Sequence, residues 1–566
     1  MPPGLADRIT VGSRVRVPLH GRRVGAWVVE DDVTSDDGVH PLDVTASSGL
    51  GPPPAVVDLA AWAAWRWAGP VSSFLGTASP QRNVRALPGA PGGTGAPGSP
   101  GGGSVALVDA ALGAGGTSVV RLAPALDTTL LVLELVHRLG PAGVLVVAPA
   151  RSRAEHLAAR LRTAGVPVAL LPDEWAAARS GGRVVIGTRA AAWAPVDRLR
   201  AALVLDAHDE ALREERSPTW SAVDVVVERG ARDAAPVLLV SPCPPLALTV
   251  GRTLVTTDRA VERRGWPVVE VVDRTADDPR TGLFGERMTT AARTELDRPG
   301  GRVVCVLNRT GRVRVLACAA CGNLARCTRC GGAVAQAVAS GSLACGRCGE
   351  TRPAVCAVCD SAKLKALRIG VSRAVEEVAA LLSTPAVELT AGTTDADASS
   401  ARLVVGTEAA LHRVDHAGLV VFLEFDQHLL APRFGAGEEA LALLARAARL
   451  VGARGGAGRV LVQTRIPGHE ALAAAALADP GLLTAAEEPV RRQLGLPPFG
   501  ALATASGPGA VDYAAGLRAV AGLEVSGLAA DRFLVRADDH PVLCDGLAAV
   551  ARPAGRLRIE VDPVDA

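Results

Sequence analysis

The feature that most constrains this chain is a cluster of cysteines in a sequence that is otherwise poor in them. Of 11 cysteines in 566 residues, eight lie between positions 318 and 359. They form four C-x-x-C pairs, Cys318/Cys321, Cys327/Cys330, Cys345/Cys348 and Cys356/Cys359. Each pair presents two thiolates to one ion, so the four pairs predict two tetrahedral four-cysteine zinc sites.

The lengths of chain between the pairs indicate which of them share a metal. Five residues separate the first pair from the second, which is short for a zinc-ribbon hairpin, whereas 14 separate the second from the third, which suits one. We therefore predict an inner site and an outer site. The inner site consists of Cys327, Cys330, Cys345 and Cys348, and the outer site of Cys318, Cys321, Cys356 and Cys359. Disulfides or a different metal are the alternatives.

The cellular compartment expected for this chain favours metal sites over disulfides. The N-terminus lacks the basic and apolar regions of a signal peptide, and no charge-free apolar run long enough to cross a membrane stands out. We therefore expect a cytoplasmic protein without a membrane partner, and clustered cysteines in that compartment are typical of metal sites. The isolated Cys243, Cys305 and Cys544 have apolar neighbours and are predicted to be core residues.

Continuous apolar runs between helical stretches indicate parallel sheets that are covered on both faces. The runs are Val144–Val147, Val184–Ile186, Leu203–Leu205 and Val237–Val240, then Val303–Val306, Leu403–Val405, Leu419–Phe422 and Val460–Val462. They predict a multidomain α/β fold with two parallel-sheet lobes, of which the second is interrupted by the cysteine-rich insert. A helix is expected from Val57 to Trp67.

Composition sets the remaining domain boundaries, and the length supports several domains. Short β-rich runs open the chain, and Pro88 to Ser104 is nearly all Gly, Pro, Ala and Ser. We expect a DNA-binding-like β domain at 1–85, a linker at 86–104, the first lobe at 105–262, the second lobe at 263–316 and 361–485, a double zinc-binding insert at 317–360, and a small α/β C-terminal domain at 486–566.

Several short segments carry a family resemblance, in a fixed order around the cysteines. They are Ile186–Pro195 (G-T-R-A-A-A-W-A-P), Leu307–Gly311 (L-N-R-T-G), Val405–Glu408 (V-G-T-E), Phe425–Pro432 (D-x-x-L-x-x-P) followed by Glu438, Gln463–Pro467 (Q-T-x-x-P), and Glu488, Arg491 and Leu496–Phe499 (P-P-F). Together they resemble primosomal protein N′, the PriA-type replication restart family, in a divergent form with degenerate ATPase motifs.

The resemblance implies two RecA-like lobes of a superfamily 2 helicase with 3′→5′ polarity, and a zinc insert that contacts DNA and partners. It implies binding of abandoned replication forks, primosome assembly and a nucleoid-associated location. The implied partners are forked or single-stranded DNA, the replicative helicase or its loader, and single-stranded-DNA-binding protein. The family's first strand has no counterpart after Met1, so we hypothesise a true start upstream of it.

The expected nucleotide site departs from the family pattern. A P-loop needs glycines, a Lys and a hydroxyl, but Arg121–Thr129 keeps only Thr129 at the hydroxyl position and adds the charge of Asp127. In the acidic motif Asp206 remains, while Ala207 replaces the catalytic Glu. Thr129 and Asp206 are thus the remnant nucleotide-site residues, no catalytic residue is assigned, and efficient ATP hydrolysis is not expected.

Three functions follow as hypotheses. The first is a replication restart protein without helicase activity of its own. The alternatives are an active ATP-dependent 3′→5′ helicase with a divergent nucleotide site and a zinc-ribbon interaction scaffold.

The net charge of +2 neither requires nor excludes DNA as a partner. Candidate phosphate contacts are Arg14, Arg16, Arg22 and Arg23, which equally suit a solvated face, and Arg326, Arg329, Arg347, Lys363 and Lys365 of the insert. Trp220 is expected in the core and His208 in a hydrogen bond.

Overall fold

The computed structural model describes residues 9–33, 43–91, 97–277, 282–307, 316–336, 342–345, 348–366, 371–390 and 400–564. The chain forms two compact units. The first consists of residues 1–121, 127–256 and 491–563, and the second of residues 122–126, 257–490 and 564–566. The motif residues from Asn308 to Gly311, as well as Arg347 and the side chain of Lys365, lie outside the described residues.

The first unit begins with a small antiparallel sheet of order β2-β1-β3, formed by β1 (Arg14–Leu19), β2 (Arg22–Trp27) and β3 (Ala46–Gly49). His20 and Gly21 make the hairpin turn with positive φ angles. Helices α1 (Pro54–Arg66) and α2 (Val71–Ala78) follow. Pro54 starts α1 because its fixed φ and missing N–H suit the first helical position.

The first lobe is a seven-stranded parallel sheet of order β12-β4-β11-β8-β5-β7-β6. Its elements are α3 (Gly103–Gly113), β4 (Thr117–Arg121), α4 (Thr128–Leu139), β5 (Val144–Val147), α5 (Arg151–Thr163), β6 (Val168–Leu170), α6 (Trp175–Arg179), β7 (Val184–Gly187), β8 (Ala201–Leu205), β9 (Arg213–Glu214), β10 (Trp220–Ser221), α7 (Ala222–Asp233), β11 (Val237–Ser241), α8 (Leu246–Thr249) and β12 (Thr253–Thr256), with 3-10 turns at Arg189–Trp193 and Glu210–Leu212. The four apolar runs predicted for this lobe are β5, β7, β8 and β11, and every residue of these strands is buried.

The segment expected to be a flexible linker is anchored at its end. Ser99 Oγ donates to the buried Glu134 Oε2 at 2.5 Å, and His137 Nδ1 lies 2.7 Å from the carbonyl oxygen of Pro97. Helix α3 already begins at Gly103. The first lobe therefore includes residues that composition alone assigns to a linker.

A chain of five aromatic rings crosses the core of the first unit. Trp62, Trp67, Phe74, Trp193 and Trp220 follow one another with centroid separations of 5.3, 6.2, 5.5 and 5.6 Å. Aromatic pairs at these separations stabilise a core beyond their burial alone. The chain connects α1 and α2 to the first lobe, and it places Trp220 in the core as predicted.

The C-terminal domain is a four-stranded antiparallel sheet of order β25-β26-β24-β27. It contains β24 (Ala501–Ser506), α17 (Ala510–Leu517), β25 (Glu524–Ala529), β26 (Arg532–Ala537), α18 (His540–Ala549) and β27 (Arg558–Val561). An ion pair of 2.7 Å between Arg66 Nη2 and Asp562 Oδ2 joins it to α1. The expected boundary at residue 486 falls inside α16 (Gly481–Gln493).

The second unit contains a six-stranded parallel sheet of order β13-β23-β22-β14-β21-β20. Its elements are α9 (Arg259–Arg264), β13 (Val268–Asp273), α10 (Glu286–Leu296), β14 (Val303–Leu307), α11 (Val371–Leu382), β20 (Ala386–Leu389), β21 (Leu403–Gly406), α12 (Ala410–Arg413), β22 (Leu419–Glu424), α13 (Asp426–Leu429), α14 (Ala436–Val451), β23 (Arg459–Thr464), α15 (Glu470–Leu477) and the start of α16. The predicted runs of the second lobe are β14, β21, β22 and β23. The two lobes have the RecA-like architecture expected from the resemblance.

The cysteine-rich insert lies between β14 and α11. Strands β15 (Leu316–Cys318) and β19 (Leu364–Ala366) pair antiparallel at its base, so it extends beyond the expected residue 360. Strands β16 (Val334–Gln336), β17 (Leu343–Cys345) and β18 (Thr351–Arg352) form a small antiparallel sheet within it. Over the ranges described, no helix is both long and apolar enough to cross a membrane.

Candidate metal centres and nucleotide site

The structure brings the eight clustered cysteines together in two groups. The outer site gathers Cys318, Cys321, Cys356 and Cys359, and the inner site gathers Cys327, Cys330, Cys345 and Cys348. Within each group all four sulfurs lie within 4.8 Å of one another. These are the groupings that we predicted from the number of residues between the cysteine pairs.

The sulfur geometry suits a tetrahedral metal and not a disulfide. Across the outer site, Cys318 Sγ lies 3.5 Å from Cys359 Sγ, and across the inner site Cys330 Sγ lies 3.5 Å from Cys345 Sγ. A disulfide would need about 2.05 Å. A tetrahedron with metal–sulfur bonds of about 2.3 Å has edges of about 3.8 Å, close to the observed values.

The knuckles repeat one backbone device. Gly322, Gly331 and Gly349 each take a positive φ, of 73°, 69° and 71°. Each glycine N–H donates to the carbonyl oxygen of the cysteine four residues earlier, as Gly331 does to Cys327 at 3.0 Å. A side chain at these positions would be strained, because an L-residue rarely adopts this conformation.

The thiols of each group affect one another's ionisation. Backbone N–H donation, first from Cys321, lowers the pKa of Cys318 to about 6. The N–H of Ser361 favours the thiolate of Cys359, yet hydrogen bonds with Cys321 and Cys318 raise the pKa of Cys359 to about 12. Four thiolates in one small space therefore need a cation, and a soft divalent ion supplies that charge.

The start of α4 contains the segment that was predicted to correspond to the family's P-loop. Asp127 is the N-cap, and its Oδ1 accepts from the N–H of Thr129 at 2.9 Å. Helix N-termini bind phosphate through such N–H groups. Here the protein's own carboxylate takes up the N–H group, so this helix start already carries a negative charge.

Two arginines of α5 contact the residues predicted to remain from a nucleotide site and pair with the carboxylates there. Arg160 Nη1 lies 2.6 Å from Asp127 Oδ2 and donates to Thr129 Oγ1 at 2.9 Å. Arg153 Nη1 lies 3.3 Å from Asp206 Oδ2. Burial opposes ionisation of Asp127, but the hydrogen bonds from Thr129 and Arg160 leave its pKa lowered. Thr129 and Asp206, both buried, are thus engaged by side chains of the protein itself.

The predicted acidic motif spans Asp206 to Asp209, directly after β8. Asp206 has a left-handed backbone with φ of 50°, and the buried Ala207 follows it. His208 Nδ1 shares a hydrogen bond of 2.9 Å with Ser241 Oγ, as expected for a hydrogen-bonded residue. Asp209 caps the next 3-10 turn by accepting from the N–H of Ala211.

Sequence reasoning missed Arg153 and Arg160. They belong to the helix after the one that contains Thr129, and nothing in the local pattern of α5 marks them, since Arg151 and Arg162 on the same helix pair with Asp173 and Glu174 instead. The only available signal was the parallel topology, which places α5 beside α4 and the start of α5 near the loop after β8.

A cavity of about 360 Å³ lies elsewhere on the first unit. Its lining includes Thr188 and Arg189 of the G-T-R-A segment, with Pro149, Glu214 and the edge of Trp220. Arg189 Nη2 donates to Glu214 Oε2 at 2.9 Å. The cavity therefore offers a cation that is paired with a partly exposed carboxylate.

The candidate phosphate contacts differ in exposure. Arg16, Arg22 and Arg23 are exposed on the β1–β2 hairpin, whereas Arg14 Nη1 donates to the carbonyl oxygen of Pro80 at 3.2 Å. In the insert, the Arg329 side chain is 71% exposed. Lys363 is exposed and Arg326 partly buried. The cysteines predicted for the core, Cys243, Cys305 and Cys544, are buried.

Comparison with known proteins shows which proteins this chain is similar to. No family model matches the chain. Replication restart protein PriA of Mycobacterium tuberculosis is 32% identical over 365 residues, which are 59% of this chain and 53% of that protein. PriA of Bacillus subtilis is 25% identical over 352 residues, 58% and 44% respectively, and PriA of Haemophilus influenzae 26% over 352 residues, 57% and 47%.

A solved structure of RecG bound to a three-way DNA junction gives a TM-score of 0.37 at 13% identity, over 67% of this chain and 45% of that one, which is too weak a likeness to define the fold. The chain spans about half the length of the curated relatives it matches. Several PriA sequences from distant bacteria nevertheless align over more than half of the chain. The resemblance in the motifs is therefore confirmed: over more than half of its length, this chain is similar to the PriA-type replication restart proteins.

Proposed function

We propose that this chain is a replication restart protein that binds forked or single-stranded DNA and promotes reloading of the replicative helicase, without ATP-driven unwinding of its own. The observation that carries the second half is the carboxylate of Asp127 at the start of α4, paired with Arg160. Phosphoryl transfer depends on positioned cationic and metal-binding groups around the phosphates. A carboxylate at the start of α4 would instead repel the phosphates of a nucleotide.

The loss of other parts supports the same proposal. Asp206 faces Arg153 instead of an available metal position, and Ala207 has no acid–base group. The two lysines of the chain, Lys363 and Lys365, both follow the cysteine cluster in sequence. No P-loop lysine thus remains in the first lobe, and its charge is not replaced by Arg160, which is committed to Asp127.

We further propose that the outer and inner sites each hold one structural zinc ion. Four thiolates per site leave no open coordination position, so the ions would hold the insert together and take no part in chemistry. Elemental analysis of the purified protein should give two zinc ions per chain. A value near zero, or iron in place of zinc, would contradict this part of the proposal.

DNA binding would use basic side chains on both units. Arg16 and Arg23 lie on one face of the β1–β2 hairpin, because Arg23 pairs across from Pro18, two residues from Arg16. Arg329 and Lys363 are exposed on the insert. Such residues contact phosphates and fix the register of a duplex without reading its sequence.

The decisive experiment measures two quantities on the zinc-loaded protein, ATP hydrolysis with and without forked DNA, and fork binding by fluorescence anisotropy over a range of salt. We expect fork binding that weakens steeply as salt rises, because phosphate contacts release counterions. We expect no DNA-stimulated hydrolysis. Stimulated hydrolysis would instead establish an active helicase with a divergent nucleotide site, and absence of binding at low salt would favour an interaction scaffold.

A variant pair sharpens the DNA measurement. R16A/R23A should flatten the dependence of log K on log salt by about 1–2 units, roughly one for each lost phosphate contact. R151A/R373A is the matched control, since both of its arginines are exposed and pair with a glutamate four residues on. Equal slopes for the two variants would remove the hairpin from the binding surface.

A further inference from the structure

Two loops of the second lobe that resemble helicase motifs meet the cysteine-rich insert. The first follows β22 and contains Asp426, and the second follows β23 and contains Thr464 and Arg465. Asp426 is 2% exposed. Its carboxylate accepts from the Arg465 N–H at 3.0 and 3.1 Å and from the hydroxyl of Thr464. Asp426 thus fixes the backbone from which the Arg465 side chain projects.

Arg465 extends from this loop to a knuckle of the outer site. Its Nη1 donates to the carbonyl oxygen of Gly322 at 3.2 Å. Gly322 follows the ligand Cys321 directly, and its own N–H donates to the carbonyl oxygen of Cys318 at 2.9 Å. One guanidinium therefore holds the turn that carries both cysteines of the first pair, 143 residues away in sequence.

An apolar contact accompanies the hydrogen bond. Ala333 of the insert packs against Leu430 of the second lobe, with Leu324 and Ile466 beside them. Ala333 and Leu430 are both buried. Ile466 is the neighbour of Arg465, so the same loop supplies a polar and an apolar contact. Such pairing of contacts fixes an orientation better than either contact alone.

Charge adds a third contribution. Burial raises the pKa of Asp426, and the guanidinium of Arg326, in the insert, acts in the opposite direction. Arg326 also adds to the effect of burial in lowering the pKa of His469. His469 caps α15, since its Nδ1 accepts from the N–H of Ala471. Arg326 therefore lies close to both loops, which explains why it is less exposed than Arg329.

We infer that the loops containing Asp426 and Arg465 form a seat for the cysteine-rich insert, and that Arg465 is a positioning residue for the outer metal site. This inference rests on the metal binding proposed above. The D-x-x-L-x-x-P and Q-T-x-x-P segments then have a structural task in this chain that needs no nucleotide. Because the Arg465 guanidinium is bonded to a knuckle of the outer site, Arg465 itself stabilises the outer site more than the inner one.

The test compares how fast each cysteine becomes reactive when a chelator withdraws the metal. Zinc-loaded full-length protein is exposed to chelator, alkylated at intervals, and read by peptide mass spectrometry. In R465A, the outer cysteines should be alkylated about tenfold faster than in the parent protein, as for loss of a supporting contact around a metal site. The inner cysteines should be alkylated at the parent rate.

Two further variants protect the interpretation. R373A removes an exposed arginine of the second lobe, outside the insert, and should leave all eight rates unchanged. R465K keeps one donor and should restore part of the difference. Unchanged outer cysteines in R465A, or equal acceleration at both sites, would overturn the inference. Protein that contains no zinc at all would contradict the proposed metal binding itself, whereas an unchanged R465A with two zinc ions contradicts only the seat.

Discussion

The two lobes differ at the edge of each sheet where the carboxyl ends of the parallel strands meet. In the first lobe, the carboxylates of Asp127 and Asp206 follow the ends of β4 and β8, and arginines of α5 neutralise them. In the second lobe, Asp426 follows the end of β22 and orients Arg465 towards the insert. At this edge of the first lobe the charged groups pair with one another, so the edge is closed. At the same edge of the second lobe Arg465 contacts the insert.

This difference shows what a parallel sheet preserves during divergence. Strands β5 and β14 are buried along their whole length, and apolar residues there are maintained by packing whatever the loops do. The loops at the carboxyl ends are not needed for the core, so they can lose one task and keep or gain another. Similarity to the PriA proteins over about half of their length therefore does not by itself show what these loops do.

The largest expected effect comes from removing a cysteine of the proposed inner metal site, in the insert of the second lobe. C327S should reduce the zinc content from two ions per chain to one and unfold the inner part of the insert. Structural zinc contributes roughly 10–16 kcal/mol of binding free energy to small cysteine modules, which their small cores cannot replace. Elemental analysis and proteolysis of the insert measure the result. C305A, at a buried cysteine of β14, should retain both ions.

The next effect tests the closed edge of the first lobe. R153A removes the cation that faces Asp206, whose side chain is 4% exposed. We expect a loss of about 2–3 kcal/mol in the free energy of unfolding, because an uncompensated buried charge is costly. R151A is the control: it breaks only exposed pairs and should cost under about 1 kcal/mol. Urea denaturation of both variants decides whether the Arg153–Asp206 pair is structural.

A pH dependence should distinguish the second edge from the first. Burial, and then the carboxylate of Asp426, raise the pKa of Glu424 from its usual value to about 7. The folded chain thus holds this proton more tightly than the unfolded chain, so stability falls as pH rises from about 4.5 to 7. E424Q removes that loss and should be about 1–2 kcal/mol more stable than the parent at pH 8, with little gain at pH 5.

The matched control for this measurement is E376Q, at an exposed glutamate of α11. It should show the same difference from the parent protein at both pH values. Denaturation curves at pH 5 and 8 give the comparison. A gain for E424Q that does not depend on pH would mean that Glu424 is already ionised at pH 5, against the raised pKa.

The smallest effect separates two roles of Asp127. D127A removes both the N-cap and the partner of Arg160, and should cost about 1 kcal/mol. D127N keeps an equally good cap and should cost less than half of that, because the pair with Arg160 is partly exposed. Neither variant should gain ATP hydrolysis. Hydrolysis in D127A would show that the carboxylate alone blocks the site.

Local patterns in the sequence predicted the framework well. Apolar runs such as Val144–Val147 could be recognised as buried strands because continuous burial leaves no alternation. The grouping of the cysteines could be predicted because a turn of five residues and a hairpin of 14 differ in reach. Strands β12 and β20 were not predicted, since exposed or mixed residues such as those of Thr253–Thr256 give no continuous apolar signal.

The long-range polar contacts could not be predicted. Arg160 pairs with Asp127 of the preceding helix, and Arg465 reaches Gly322 at a sequence separation of 143. Among 60 basic residues, almost all arginine, nothing local distinguishes these two from solvated ones. Their partners are set by the order of strands in each sheet, which becomes visible only in three dimensions. Departures from the motif patterns could therefore be recognised in the sequence, whereas the contacts of the residues that stand there could not.

The chain of aromatic rings in the first unit has an optical consequence. Seven of the eight tryptophans belong to that unit, and only Trp266 belongs to the second. Rings as close as these exchange excitation, so intrinsic emission follows the melting of the first unit almost alone. Cobalt substituted for zinc would give thiolate absorption bands that follow the insert. Tryptophan emission and cobalt–thiolate absorption thus report the first unit and the insert, respectively. Transitions that do not coincide would show that these two parts unfold separately.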